Sequence, residues 1–186
     1  MRLRNTLLLA ALFILLAAYI YFFELQKEGR GKSARLLNFK AEEAAAIVLS
    51  YPRQEIQLQR EPPGKWQLTQ PLRADADEST IGSMLAALSA GEILRTLEEK
   101  PSAEDLKSFG LDRPAVKVSI TLKSGVTLPQ LLLGARTPFG DAAYVQRGSE
   151  PSVYLTDGSL PLALQRELND FRHKPIVAEE KTGSKK

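Results

Sequence analysis

The side chains that most often carry out catalysis are few in this sequence and lie far apart. The chain has one histidine, His173, and no cysteine, so the usual Cys and His ligands of a zinc site are missing. Two carboxylate pairs, Asp75 with Asp77 and Glu104 with Asp105, have the chemistry of an acid–base pair or a cation site. Each pair precedes or opens a predicted helix, where the helix dipole favours negative charge. We therefore interpret both pairs as helix starts.

Nucleophiles and phosphate-binding loops are also poorly represented. No serine stands in the G-x-S-x-G pattern of a hydrolase nucleophile. Residues 134–140, GARTPFG, contain two glycines but lack the Lys and the following helix of a phosphate-binding loop. We predict no enzyme and no catalytic, cofactor or metal residues.

The stretch at 134–140 is typical of an ordinary hairpin loop. Its functional interpretation is a partner-binding loop, because binding residues concentrate in loops on a rigid scaffold. The candidate residues of this loop are Arg136, Thr137, Pro138, Phe139 and Asp141.

The longest apolar run covers residues 6–23 and contains no charge, Pro or Gly. A helix of that length spans roughly 27 Å, close to the thickness of a bilayer core. The run ends in bulky aromatic residues and not in a small-residue cleavage site, so we predict an uncleaved anchor over residues 1–25. A cleaved signal peptide and a buried helix are the alternatives. The candidate anchor residues are Thr6, Leu7, Phe13, Leu16, Tyr19, Tyr21 and Phe23.

The charges around this run give a weak signal for orientation. Basic residues flank both of its ends, so the positive-inside rule is nearly balanced. A short N-terminal tail favours a single-pass inner-membrane protein whose C-terminal domain lies in the periplasm. The formal net charge is only +3, which gives no reason to expect nucleic acid binding.

The rest of the chain is divided by composition. Residues 26–35 form a charged, Gly-containing linker, residues 36–173 an extracytoplasmic domain, and residues 174–186 a polar tail predicted to be disordered.

Alternating apolar residues predict strands, and apolar residues at helical spacing predict helices. Pro129 interrupts one strand and predicts an edge strand or a bulge there. A final helix is predicted over residues 159–171, with His173 in its last turn. The strands are predicted at 47–51, 55–59, 65–69, 92–97, 116–123, 126–133, 143–147 and 152–156, and the other helices begin near residues 79 and 102.

Taken together, these elements predict an α+β fold: an N-terminal transmembrane helix, then antiparallel β-meanders with helices packed on one face. Strands followed by a helix occur twice, which suggests a pseudo-repeat of two β-sheet-plus-helix units.

Several stretches together resemble a known bacterial family, domain of unknown function 4340. They are the N-terminal anchor, residues 66–71 (WQLTQP) followed by Ala74 and Asp75, residues 109–114 (FGLDRP) and residues 131–134 (LLLG), with Tyr144-Val145 and residues 153–155 after them. The resemblance implies an anchored extracytoplasmic protein, in some cases found near ABC transporters of the gliding-motility type. It implies no catalytic residue.

The function predicted from the sequence is therefore a membrane-anchored binding or scaffold protein. The expected partner is another envelope protein, such as a transporter component. Two other classes remain open: an envelope hydrolase whose carboxylates meet only in the folded state, and a lipid- or glycan-binding module. A deep pocket with converging ionisable groups would favour the hydrolase.

Overall fold

The computed structural model describes residues 35–138 and 141–173. Within these described residues, three α-helices and two short 3-10 helices accompany nine strands. The helices are α1 (Glu78–Ala90), α2 (Ala103–Ser108) and α3 (Ser159–Leu164), and the 3-10 helices are Ala41–Glu43 and Leu168–Asp170. The strands are β1 (Ala44–Ser50), β2 (Glu55–Glu61), β3 (Lys65–Gln70), β4 (Ala74–Asp75), β5 (Arg95–Glu98), β6 (Val116–Leu122), β7 (Leu131–Arg136), β8 (Ala143–Arg147) and β9 (Val153–Thr156).

All nine strands belong to one antiparallel sheet, in the order β4-β3-β2-β1-β6-β7-β8-β9-β5. Tight connections place β1 to β4 side by side in one half and β6 to β9 side by side in the other. The halves meet where β1 pairs with β6, with Ile47 opposite Ile120 and Leu49 opposite Val118.

One face of the sheet, here called the inner face, carries the hydrophobic core. Alternation along each strand produces this layer: in β1, Ile47 and Leu49 are buried while Val48 and Ser50 are only half-buried. Helix α1 packs on this face through Ile81, Met84, Leu85 and Leu88, which lie on one side of the helix. Helices α1 and α3 also contact each other.

The apolar faces of these strands and helices supply the buried core. The residues found buried are Trp66, Leu85, Leu88, Leu111, Val118, Ile120 and Leu164. Phe109 and Leu168 are only partly buried.

The opposite, outer face differs between the two halves. On β2, β3 and β6 it carries Gln59, Gln67 and Ser119, which are polar. On β8 it carries Tyr144, whose ring lies 4.8 Å from that of Phe109 at the end of α2. Helix α2 and the loop after it therefore cover the outer face of the second half.

Two of the stretches singled out in the sequence meet at this point. Residues 109–114 lie against the end of β7, where the Ala135 N–H donates to the Phe109 carbonyl at 2.8 Å and the Ala115 N–H donates to the Leu133 carbonyl at 2.7 Å. A Cβ atom on Gly134 would lie 2.3 Å from the Phe109 carbonyl oxygen. Gly110, which follows the end of α2, has a φ of +66°, a left-handed conformation that favours glycine. The contact between residues 109–114 and β7 therefore requires glycine at both positions, at 134 for the close approach and at 110 for the positive φ.

The predicted fold class is wrong in several respects. The strands form one antiparallel sheet and not two sheet-plus-helix units, and the helices are few. They also lie on both faces of the sheet and not on one. The alternation of apolar and polar residues predicts which face of a strand is buried, but it does not predict which strand it pairs with. The β1–β6 pairing joins segments that are far apart in the sequence.

Pro129 does not mark an edge strand. Strand β7 begins two residues later, at Leu131, and is paired on both sides, with β6 and with β8. Proline is tolerated at this position because it precedes the strand, where no backbone N–H is needed for the hydrogen bonds of the sheet.

No helix among residues 35–138 and 141–173 is long and apolar enough to cross a membrane. We therefore correct three predictions: the transmembrane helix in the fold, the single N-terminal membrane span, and the single-pass inner-membrane location with a periplasmic domain. The candidate anchor, residues 1–25 with Thr6, Leu7, Phe13, Leu16, Tyr19, Tyr21 and Phe23, lies outside the described residues, as does the tail at 174–186.

We predict that Gly134→Ala destabilises the domain by about 1–3 kcal/mol, because the added methyl group overlaps the Phe109 carbonyl and forces the backbone apart. Gly82→Ala is the matched control. Gly82 is exposed within α1, nothing lies within 4 Å of its Cβ position, and alanine there should stabilise by about 0.5–1 kcal/mol. Urea unfolding of both variants measures the difference; equal values would show that the 109–134 contact is looser than described.

A second prediction concerns Thr156, which is fully buried and whose hydroxyl oxygen has no hydrogen-bond partner. An unpaired buried hydroxyl costs about 1–3 kcal/mol, so Thr156→Val should raise the free energy of unfolding by about 1 kcal/mol. Thr69→Val is the control, because the Thr69 hydroxyl donates to the Gln57 carbonyl at 3.2 Å and its loss should destabilise. A destabilising Thr156→Val would mean that this hydroxyl has a partner.

Candidate functional site

A cleft of about 570 Å³ opens between the turn that joins β1 to β2 and the segment that follows α3. One wall consists of residues 51–54 and the other of residues 167–169. The first wall is a tight turn, closed by the Tyr51 N–H donating to the Gln54 carbonyl at 2.8 Å. Pro52 and Arg53 are exposed at its tip. The volume falls in the range typical of ligand pockets.

Tyr51 connects this cleft to helix α3. Its hydroxyl donates to the carbonyl of Leu164, the last residue of α3, at 2.8 Å. Burial raises the pKa of Tyr51 to about 12, against smaller lowering effects from the neighbouring Arg166. The hydroxyl is therefore neutral across the physiological range and acts as a hydrogen-bond donor and not as a base.

Helix α3 ends earlier than the sequence predicts. The apolar spacing predicted a helix over 159–171, but the backbone leaves the helical region at Gln165, where ψ is 74°. The Leu164 carbonyl accepts hydrogen bonds from the Tyr51 hydroxyl and from the Arg166 N–H, the latter at 3.0 Å. A short 3-10 helix, Leu168–Asp170, follows this break. The break is what brings residues 167–169 to the cleft.

The predicted partner-binding loop lies between β7 and β8 and is braced against the same helix. At its base, Arg136 donates through Nη2 to Gln165 Oε1 at 2.8 Å. The Thr137 N–H donates to the Ala142 carbonyl at 2.8 Å and closes the hairpin. Pro138 is exposed. Phe139 lies outside the described residues.

Asp141, on the far side of this loop, packs closely on the backbone that precedes α3. A Cβ atom on Gly158 would lie 2.5 Å from the Asp141 Cβ and 2.6 Å from its carbonyl oxygen. Glycine at 158 therefore allows the loop to approach the start of α3. At the other end of α3, Gln165 binds the same loop through Arg136.

An exposed apolar residue lies on α3 between these two contacts. Leu162 is 65% exposed, the largest value among the exposed large apolar side chains of the described chain. The cleft, α3 and the loop are thus connected through one helix. We call this region the α3 surface and define it as residues 51–54, Arg136, Pro138, Asp141, Leu162, Gln165 and residues 167–169.

The sequence pointed to the loop of this surface but not to the cleft. Residues 51–54 are recognisable as a turn, through Pro52 and Arg53, but the apolar spacing over 159–171 predicts that their partner segment lies inside a helix. No local signal in the sequence identifies Tyr51 as the residue that ends α3.

Of the two acidic residues before α1, Asp77 has the helix-start role predicted for it and Asp75 does not. Asp77 caps the helix by accepting from the Thr80 N–H at 2.7 Å, and this bond lowers the pKa of Asp77. Asp75 lies in β4 and accepts from Gln67 at 2.6 Å. Both border a second cleft, of about 410 Å³.

His173 also borders this second cleft and does not lie in a helix as predicted. The backbone N–H of His173 donates to the Asp75 carbonyl at 2.9 Å, and this hydrogen bond extends the backbone pairing at the β4 edge of the sheet. Among the described residues, no group of three His, Asp or Glu residues could hold a metal ion.

The second acidic pair also opens a helix. Ser102 caps α2, accepting from the Asp105 N–H at 3.1 Å, while Asp105 accepts from the Ser102 N–H at 2.8 Å. The Ser102 hydroxyl and N–H lower the pKa of Asp105. This is the reciprocal arrangement of a capping box.

A cluster that the sequence did not reveal closes the β8–β9 turn. Arg147 bonds Glu150 at 2.7 Å and lies over the ring of Tyr154, whose hydroxyl donates to Glu150. The Tyr154 hydroxyl, and then Arg147, lower the pKa of Glu150. Burial acts to lower the pKa of Arg147, but the bonds to Tyr154 and Glu150 together raise it. Both charged groups therefore keep their charge and fasten the turn.

Comparison with known proteins places the chain in a family. The family model described as domain of unknown function 4340 matches residues 66–183, more than half of the chain. The chain belongs to this family. No curated protein and no solved structure matches it. The match includes α3 and the β7–β8 loop but begins after the turn at residues 51–54.

We predict that Tyr51→Phe removes an alkaline loss of stability. Because the folded-state pKa of Tyr51 is about 12 against an ordinary 10, folding favours the protonated hydroxyl. This stabilisation is fully present below pH 10 and is lost as the pH rises towards 12. At neutral pH the variant should lose about 1 kcal/mol, the value of one hydrogen bond.

The measurement is denaturant unfolding at several pH values between 8 and 12, a range chosen around the Tyr51 pKa. The difference between wild type and Tyr51→Phe should shrink with rising pH and then change sign. Tyr144→Phe, which leaves Tyr51 in place, is the control and should follow the wild type. A constant difference across the range would contradict the burial of the Tyr51 hydroxyl.

Proposed function

We propose that this chain is a protein-binding domain without enzymatic activity, and that its partner binds at the α3 surface. The observation that carries the proposal is the connection of a cleft, an exposed leucine and a braced loop through one short helix. Local contacts hold each part in place, so the surface is organised before binding, which lowers the entropy lost on association.

The cleft has the chemistry of a site for one or two side chains of a protein partner. Tyr51, Pro52 and Leu168 offer apolar surface, and the Tyr51 hydroxyl is already bonded to the Leu164 carbonyl. Arg53 and Glu167 place opposite charges on the two walls. An apolar side chain flanked by charges of both signs would match this lining, with the charges fixing its direction.

The rest of the surface adds an apolar anchor and a polar rim. Leu162, on α3, exposes most of its side chain, and Arg136 is exposed at the base of the loop. Tyrosine and arginine are among the residues that dominate binding energy when a partner covers them. Tyr51, Arg53 and Arg136 are therefore the residues we expect to contribute most.

The ionisable groups favour binding over catalysis. A general acid at neutral pH requires a carboxyl whose pKa is raised. In the described part of the chain the resolved carboxyl shifts are downward, at Asp77, Asp105 and Glu150, and capping or pairing accounts for each. The raised pKa of Tyr51 keeps its hydroxyl protonated at neutral pH, so no phenolate is present there to act as a base. The α3 surface also lacks a histidine, since His173 lies at the other cleft.

The test is site-specific photocrosslinking in the cells from which the chain comes. A photoreactive benzophenone amino acid replaces Arg53, Leu162 or Val126, one position at a time, in the full chain. Positions 53 and 162 should cross-link to the same protein. Val126 is the matched control because it is 56% exposed and apolar but does not belong to the α3 surface.

Charge reversal then tests the contribution of the cleft. Arg53→Glu should reduce cross-linking from position 162 about tenfold, equivalent to 1.4 kcal/mol, while Val126→Glu should leave it unchanged. Arg136→Glu, measured in the same way, tests the contribution of the loop separately from that of the cleft. Equal cross-linking from position 126, or no effect of Arg53→Glu, would refute the site. Turnover of a substrate by the purified full chain, abolished by replacing one acidic residue, would refute the non-enzymatic assignment.

A further inference from the structure

The segment that follows α3 has a sequence pattern that disagrees with its backbone. Leu160, Leu164, Leu168 and Phe171 have the spacing of one helix face. The helix nevertheless ends at Leu164, and the next residue, Gln165, has a ψ of 74°. When the local preference of a segment and its folded backbone disagree, a second conformation can lie close in free energy.

The Tyr51 hydroxyl occupies the place of a backbone N–H in a continuing helix. In an α-helix the carbonyl of residue 164 accepts from the N–H of residue 168. Here the Leu164 carbonyl accepts from the Tyr51 hydroxyl at 2.8 Å and from the Arg166 N–H at 3.0 Å. These two bonds use both lone pairs of the carbonyl oxygen. The helix can therefore continue past Leu164 only when these partners are released.

The present conformation leaves one polar group of this segment unsatisfied. Arg166 Nε is buried and has no hydrogen-bond partner among the described residues, which raises the free energy of this conformation. A continuing helix would rotate residue 166 about 200° from the buried Leu164, to the side that faces water. It would also give the carbonyls of Leu162, Ala163 and Leu164 the N–H groups of the next turn as partners.

We propose that residues 165–168 switch between the present open form and a closed form in which α3 continues to Leu168. The Tyr51 hydroxyl is the latch that holds the open form. In the closed form Glu167 and Leu168 belong to the helix and leave the cleft, so the turn at residues 51–54 loses the opposite wall.

Buried contacts confine this switch on both sides. Before it, Leu160 and Leu164 are fully buried in the core. After it, Phe171 is fully buried, and its carbonyl accepts from the Asp77 N–H at 2.9 Å. Residues 169 and 170 lie between Leu168 and this anchor and take up the displacement.

The switch regulates access to the α3 surface. A partner side chain in the cleft contacts Tyr51 and residues 167–169 as the open form places them, so binding favours the open form and the closed form excludes the partner. This regulatory role rests on the proposed binding function, whereas the switch itself does not.

Two substitutions separate the forms. Tyr51→Phe removes the latch, and Leu168→Pro blocks the closed form because proline lacks the N–H that a continuing helix needs. Proline suits the open form, since residue 168 is the first of the 3-10 helix and Glu167 already has the extended backbone, with φ −92° and ψ 161°, that a residue before proline adopts.

The first measurement is the backbone carbon chemical shift of Gln165 and Arg166 in the full-length chain. Tyr51→Phe should move both shifts towards helical values. The double variant, with Leu168→Pro added, should return them to the values of Leu168→Pro alone. Tyr144→Phe is the control and should leave them unchanged.

The second measurement is a distance across the cleft, which the absence of cysteine from the sequence allows. Spin labels on Arg53→Cys and Glu167→Cys, both at exposed positions, report the separation of the walls. Labels on Arg53→Cys and Leu162→Cys are the control, because residue 162 lies in the part of α3 that both forms share. Tyr51→Phe should add a second distance to the first pair only, and Leu168→Pro should remove it.

Three results would each overturn the switch. They are unchanged shifts at Gln165 and Arg166 in Tyr51→Phe, a single unaltered distance between positions 53 and 167, and a second distance that persists with proline at 168. None of these measurements needs a partner. A switch that is observed while position 162 fails to cross-link would therefore refute the proposed binding site alone.

Discussion

The antiparallel pairing of β1 with β6 is the contact on which the rest of this domain depends. It sets Ile47 against Ile120 and Leu49 against Val118 at the centre of the sheet. Strand β1 borders a half of four strands and β6 a half of five, β5 included, so without the pairing each half would expose an apolar edge and part of its inner face. Joined, the halves share one core, into which both α1 and α3 insert. The helices can contact each other only because the two halves form a continuous surface.

A single backbone carbonyl then decides the shape of the α3 surface. The last carbonyls of a helix have no partner within it and must be satisfied from outside. At Leu164 the partner is the hydroxyl of Tyr51, from the other half of the sheet. The bond ends the helix and turns the following residues back towards the β1–β2 turn. The cleft is thus a consequence of joining the halves, since its two walls come from opposite ends of the domain.

The local features of this fold could be read from the sequence, and the non-local ones could not. The alternation in β2 and β6 predicts strands, Asp77 and Ser102 are recognisable as helix caps, and Gly110 as the residue that ends α2. Leu160, Leu164, Leu168 and Phe171 have the spacing of one helix face, so they predicted a long helix that Tyr51 interrupts. The loop at 136–141 was found because its composition is local. The cleft cannot be predicted in this way, because its walls come from two segments that are distant in the sequence. The single sheet cannot be predicted either, because the residue pattern of a strand does not show which other strand it pairs with.

The length of α3 explains why the cleft and the loop should respond together to a partner. A helix of six residues is too short to be stable alone, because nucleation is unfavourable and few hydrogen bonds repay it. Its position is therefore set by its contacts: Leu160 and Leu164 in the core, Asp141 against Gly158 at its start, and Tyr51 with Arg136 at its end. A partner that moves residues 51–54 changes the support at the end of α3, and the loop rests on the same residues. The cleft and the loop are therefore coupled through α3, because α3 needs the contacts from both of them to keep its position.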